Sequence, residues 1–99
     1  MSYRVRYAPS AAEDLQRLFD FLADQDVGAA ERARDAIARA MSFLESFPFS
    51  CRKASPENAF LRELVISFGS YGYVALFEVE DINTVTMLAV RHQREDDYY

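Results

Sequence analysis

The chain has 99 residues, of which 51% are apolar and 14% aromatic, with only three Gly and three Pro; this excludes a disordered, collagen-like or linker-rich protein. Its length suits a single domain, residues 1–99, able to bury roughly 65% of its unfolded surface without staples. A net charge of −5 argues against non-specific binding to nucleic acid, which draws its free energy from Lys and Arg neutralising phosphates, and no direct sequence-specific binding is expected.

The opening Met1-Ser2-Tyr3-Arg4-Val5-Arg6 lacks the apolar stretch of a signal peptide, and no run approaches the roughly 18 apolar residues that span a bilayer. A cytoplasmic protein without a membrane anchor is expected. Residues 3–7 alternate apolar and charged side chains with the period of a half-buried strand. Pro9 and Ser10 end that strand. Ser10, followed three residues later by Glu13, has the spacing of a capping box and predicts a helix start.

Leu15, Leu18, Phe19 and Leu22 then recur at helical spacing as one apolar stripe. The acids Glu13, Asp14 and Asp20 are assigned to the solvated face, where negative charge also suits a helix N-terminus. Residues 24–28 break the pattern, and Ala30, Ala33, Ile37, Ala40, Met41 and Leu44 form a second stripe that ends near Phe47-Pro48. Two amphipathic helices with a short connection predict an antiparallel hairpin.

Residues 49–58 carry Pro, Ser, Lys and Arg without periodicity and are expected to form a loop. Cys51 lies there beside Arg52 and Lys53. As the one cysteine of the chain it excludes an intramolecular disulfide and a four-Cys metal cluster. Neighbouring cations lower a thiol pKa, but a catalytic thiol also needs a base and an orienter, so a cysteine without a chemical role is the simpler reading.

Three β-branched and aromatic runs follow, at residues 60–66, 71–79 and 84–90, joined by short turn-like links that include Gly69, with Gly72 also read as a turn glycine. The order β-α-α-β-β-β predicts an α+β fold with the helical hairpin packed on a small antiparallel sheet. His92 is the lone histidine, so no His-based metal triad exists and neither metal nor cofactor is expected. Residues 90–99 bring Arg91, His92 and Arg94 out of an apolar strand just before three acids, Tyr98 and Tyr99. Such groups suit phosphate binding or proton transfer, or a salt-bridged surface tail.

Several of these segments resemble ParE-type toxins. They are residues 3–11 with Glu13-Asp14-Leu15, Ala29-Ala30-Glu31-Arg32-Ala33, Phe47-Pro48, Leu61-Arg62-Glu63-Leu64, Tyr73-Val74-Ala75-Leu76-Phe77 and the ending Leu88 to Glu95. Order and spacing carry the resemblance, which spans nearly the whole chain and extends to the ParE/RelE toxin superfamily. It implies the fold already predicted and the toxin half of a type II toxin–antitoxin, or plasmid stabilisation, system.

Within that superfamily, RelE-like members cleave mRNA on the ribosome with sheet-borne Arg, Lys, Tyr or His, whereas ParE-like members are associated with poisoning DNA gyrase. Ribonucleolytic members usually place Arg after the aromatic that opens the central strand; here Val74 follows Tyr73. Loss of a cation where the transition state develops charge costs such an enzyme on the order of 3 kcal/mol. The resemblance therefore implies a non-enzymatic gyrase inhibitor, neutralised by a cognate antitoxin.

Its target contacts would be Arg62, Arg91, His92 and Arg94, with Leu15, Leu18, Phe19 and Leu22 contributing to an antitoxin groove. Alternatives are an mRNA endoribonuclease that uses Arg62, His92, Arg94 and Tyr98, or a non-toxic member that only binds its antitoxin. A homodimer and a heterotetramer with the antitoxin are both compatible with the sequence.

Overall fold

The alternation at the start of the chain becomes β1, Arg4–Tyr7, in a computed structural model that describes residues 2–68 and 71–92. Helix α1, Pro9–Gln25, opens with Pro at its first position, where the missing N–H is no loss and the ring presets the backbone. Ala8 is its N-cap and no side chain caps it. The capping box read from Ser10 and Glu13 therefore does not form, because Ser10 is already inside the helix and its hydroxyl goes elsewhere.

Asp26 alone separates α1 from α2, Val27–Ser46; its carboxylate accepts from Gly28 N at 2.9 Å and so caps the second helix. A 3-10 turn, Pro48–Ser50, follows. The segment expected to be a loop instead contains a strand, β2, Arg52–Ser55, paired antiparallel with β3, Asn58–Phe68, through Arg52↔Glu63 and Lys53↔Arg62. It is a short edge strand carrying two cations, a composition that discourages pairing with other chains and hides the strand from an apolar-periodicity reading. Arg52 Nε donates to Glu63 Oε1 across it at 2.9 Å.

β4, Tyr71–Val79, and β5, Thr84–His92, complete the meander. Gly72 thus lies within β4, opposite Ser67, rather than in a turn, and β5 extends to include Arg91 and His92. The sheet order is β1-β5-β4-β3-β2. β1 runs parallel to β5, with Val5 beside Val85 and Tyr7 beside Met87, so the sheet is mixed. The long helical crossover between β1 and the meander permits that parallel pairing.

Both helices cover one sheet face, α1 against β5 and α2 against β3, the two-layer α+β arrangement expected. Residues paired across an antiparallel ladder share a face. Ile66, Tyr73, Ala75, Phe77, Val85 and Met87 accordingly meet Ala11, Ile37, Met41 and Leu44 in one core. Phe77, Met87, Leu44 and Val85 are fully buried. Among the described residues, no helix is long and apolar enough to cross a membrane.

Candidate functional site

The site begins with a break in the ladder. Leu76 pairs with Ala89 but Phe77 pairs with Met87, which leaves Leu88 as an extra residue in β5. A bulge of this kind reverses the in-out alternation beyond it. Val85 and Met87 face the helices before it; Val90 and His92 do so after it, opposite Ala75 and Tyr73.

The N-terminal turns of α1 hold this bulge. Ala8 N donates to Met87 O at 2.8 Å, and Ser10 Oγ donates to Leu88 O at 2.7 Å. Asp14 Oδ2 accepts from Val90 N at 2.9 Å while its Oδ1 accepts from Arg17 Nη2 at 2.8 Å. Asp14 is only 7% exposed. The sequence placed it on the solvated helix face; its buried partner lies in a strand far along the chain, which helical periodicity does not reveal.

Beyond the bulge a cavity of about 290 Å³ opens between α1 and the end of the sheet, lined by Asp14, Arg17, Leu18, Phe21, Tyr73, Val90, Arg91 and His92. The His92 ring stands edge-on to Tyr73, with centroids 5.6 Å apart and an interplanar angle of 88°. Tyr73 also stacks on Phe68 at 5.9 Å, and burial pushes its phenol pKa up. Burial therefore favours the neutral phenol over the phenolate that a base would require. Arg91 Nη1 approaches the His92 carbonyl at 3.3 Å.

Arg91 and His92 both line this cavity, and Arg17 joins them. Arg17 was missed because it reads as one charge among several on α1; its spacing of three from Asp14 and four from Phe21 is the signal available. Phe21, 59% exposed, supplies an apolar wall.

Arg62 is elsewhere. It sits opposite Phe77, whereas His92 sits opposite Tyr73, four residues or about 13 Å along the strand direction and on the far side of β4. Arg62 Nε donates to Ala59 O at 2.7 Å and Nη1 to Cys51 O at 2.8 Å and Phe49 O at 3.2 Å. Its guanidinium also lies 5.1 Å above the Phe49 ring. These bonds tie the 3-10 turn and β2 onto β3.

Arg94 and Tyr98 lie outside the described residues. Leu15, Leu18 and Phe19 pack partly buried against the core, with Arg34 stacked 4.8 Å over the Phe19 ring, and Leu22 is half-buried. Cys51 is buried, and burial pushes its thiol pKa up against the opposing pull of Arg62, the reverse of what its cationic neighbours in sequence suggest. Among the described residues, no group of three His, Cys, Asp or Glu side chains is placed to hold a metal ion.

A helical hairpin on one face of a small mixed sheet, with a cationic end to its last strand, defines the class. A family model described as the ParE toxin of the type II toxin-antitoxin system, parDE, matches residues 5–97. Toxin RelE3 of Caulobacter vibrioides is 34% identical over 92 residues, covering 92% of this chain and 95% of that protein. The chain therefore belongs to the ParE/RelE family of type II toxin–antitoxin toxins. A solved structure from the chromosomal ParDE TA system of P. aeruginosa shares the fold, with a TM-score of 0.69 at 16% identity, covering 92% of this chain and 96% of that one.

Proposed function

We propose that this protein is a ParE-like toxin of the bacterial cytoplasm that inhibits DNA gyrase through contacts made by Arg17, Arg91 and His92, extended by Arg94, and is neutralised by a cognate antitoxin. The observation that carries this reading is the engagement of Arg62 with three backbone carbonyls on the far side of β4. A phosphate held by His92 cannot share that cation, and the Tyr73 phenol, its pKa raised by burial, is a poor base. What remains at the site is a small basic and aromatic surface suited to protein contact.

The hairpin offers an antitoxin the outer edges of Leu15, Leu18, Phe19 and Leu22 together with exposed Phe21, Val27 and Phe43. An amphipathic antitoxin helix fits such a surface.

A second reading, ribosome-dependent mRNA cleavage, draws support from the register. Arg91 pairs with Val74, so a neighbouring strand supplies a cation beside the position that ribonucleolytic relatives fill with Arg, and one relative is named Toxin RelE3. Inducing the gene in cells and mapping both gyrase-cleaved DNA and mRNA ends separates the readings. Accumulated gyrase cleavage with intact mRNA is expected; in-frame mRNA cuts without gyrase cleavage would establish the second reading, and absence of growth arrest a non-toxic member.

A further inference from the structure

At the opposite end of the sheet from His92, where β4 turns into β5, Tyr3, Phe49, Phe60, Val79 and Ile82 line a cavity of about 620 Å³ together with Asn58, Glu78, Glu80 and Asp81. Phe49, Phe60 and Ile82 are 45%, 54% and 73% exposed, a cluster of large apolar side chains that a monomer rarely leaves in water without use. We propose that this groove docks a peptide segment of a protein partner in which apolar anchors are interleaved with Lys or Arg. That the antitoxin carries the segment rests on the function proposed above.

The apolar floor is preformed. Phe49 and Phe60 pack edge to face at 6.0 Å, and the Arg62 bonds that hold the 3-10 turn fix Phe49 in place. The rim is fixed as well: Glu80 N donates to Thr84 O at 2.9 Å, and Asp81 Oδ1 accepts from Asn83 N at 2.8 Å. A preorganised groove spares a ligand the cost of ordering it.

Charge selects the occupant. Among the described residues, the lining includes three carboxylates and no Lys or Arg; Arg4, whose charge acts on Asp81, is not among them. Nucleic acid and anionic lipid are repelled by such a rim. A second copy docked by two-fold symmetry would bring the same carboxylates against each other. A basic segment answers the charge, and its apolar side chains cover the Phe49, Phe60 and Ile82 cluster.

The test titrates the whole protein into a fluorescein-labelled amphipathic peptide of Leu and Lys, with Leu/Glu and Ser/Lys peptides of equal length as comparators. Saturable binding of the Leu/Lys peptide alone is expected, with hydrogen-exchange protection at residues 58–60 and 78–82. Glu78→Gln with Glu80→Gln should weaken it about tenfold, and Ile82→Ser at the exposed turn should weaken it several-fold without lowering Tm.

Equal binding of the three peptides, binding to both variants as tight as to wild type, or protection elsewhere on the molecule overturns the proposal. So does concentration-dependent dimerisation that Ile82→Ser abolishes, which would make the occupant a second copy. The titration contains no gyrase: peptide binding without gyrase inhibition defeats the proposed function alone, and gyrase inhibition without peptide binding defeats the groove alone.

Discussion

The carboxylate of Asp14, in the second turn of α1, accepts the backbone N–H of Val90, two residues past the bulge in β5, at 2.9 Å. This bond supplies a partner for an N–H where the ladder shifts register, and sets the strand end that carries Arg91 and His92. Helix and basic end are therefore one unit. Asp14→Ala should leave Val90 N–H buried without a partner and cost about 1–3 kcal/mol in urea unfolding, whereas Asp14→Asn retains an acceptor and should cost less. Equal stability of wild type and Asp14→Ala would contradict the clamp.

Arg62 is predicted to stabilise rather than to act on a target. Replacing it with Ala removes hydrogen bonds to Ala59, Phe49 and Cys51 and should destabilise the fold by about 1–2 kcal/mol, the range for charge-assisted bonds discounted for partial exposure. Hydrogen exchange at residues 49–55 should accelerate. Lys in its place should rescue only part, having no planar fork. Loss of toxicity with unchanged stability and exchange would instead place Arg62 in the target contact.

Cys51 should behave as an inert thiol. Burial raises its pKa, with Arg62 pulling the other way, so the folded state holds its proton more tightly than the unfolded state does. The stability this contributes is fully present below the unfolded thiol pKa and is lost as pH rises through the higher folded pKa. Disulfide-exchange reagents should therefore label Cys51 in native protein far more slowly than in urea at pH 8. Equal rates would show the thiol to be open and activated.

Phe77 anchors the core beneath both helices, with no exposed surface. Phe77→Ala should cost about 3–5 kcal/mol, a large part of the stability of a domain this size. Thermal melts read this directly, and a loss under 1 kcal/mol would mean that the core at this point is not packed as described.

Much of this architecture is legible in the sequence because its signals are local. The stripe from Leu15 to Leu22, the alanine-rich stripe to Leu44 and the β-branched runs each report a face that meets the core. Three features depend on partners distant in the chain and escape such a reading. β2 carries Arg52 and Lys53 where an apolar residue would announce a strand. The bulge at Leu88 has no turn residue to mark it, although it decides which way His92 faces. Asp14 resembles its exposed neighbours until Val90 is placed beside it. Of the basic set, Arg91 and His92 could be grouped by adjacency, but Arg62 could be separated from them only by strand register.

The proposed inhibition of gyrase rests on contacts made by the Arg91 and His92 end of β5. The most direct measurement is a supercoiling and DNA-cleavage assay with purified gyrase and antitoxin-free protein, comparing wild type with an Arg91→Ala, His92→Ala variant whose unfolding midpoint is matched. Wild type should block supercoiling and accumulate cleaved DNA, and the variant should lose both effects by at least about tenfold, the loss of roughly 1.4 kcal/mol of contact energy. Full inhibition by the variant, or none by the wild type, would contradict the account.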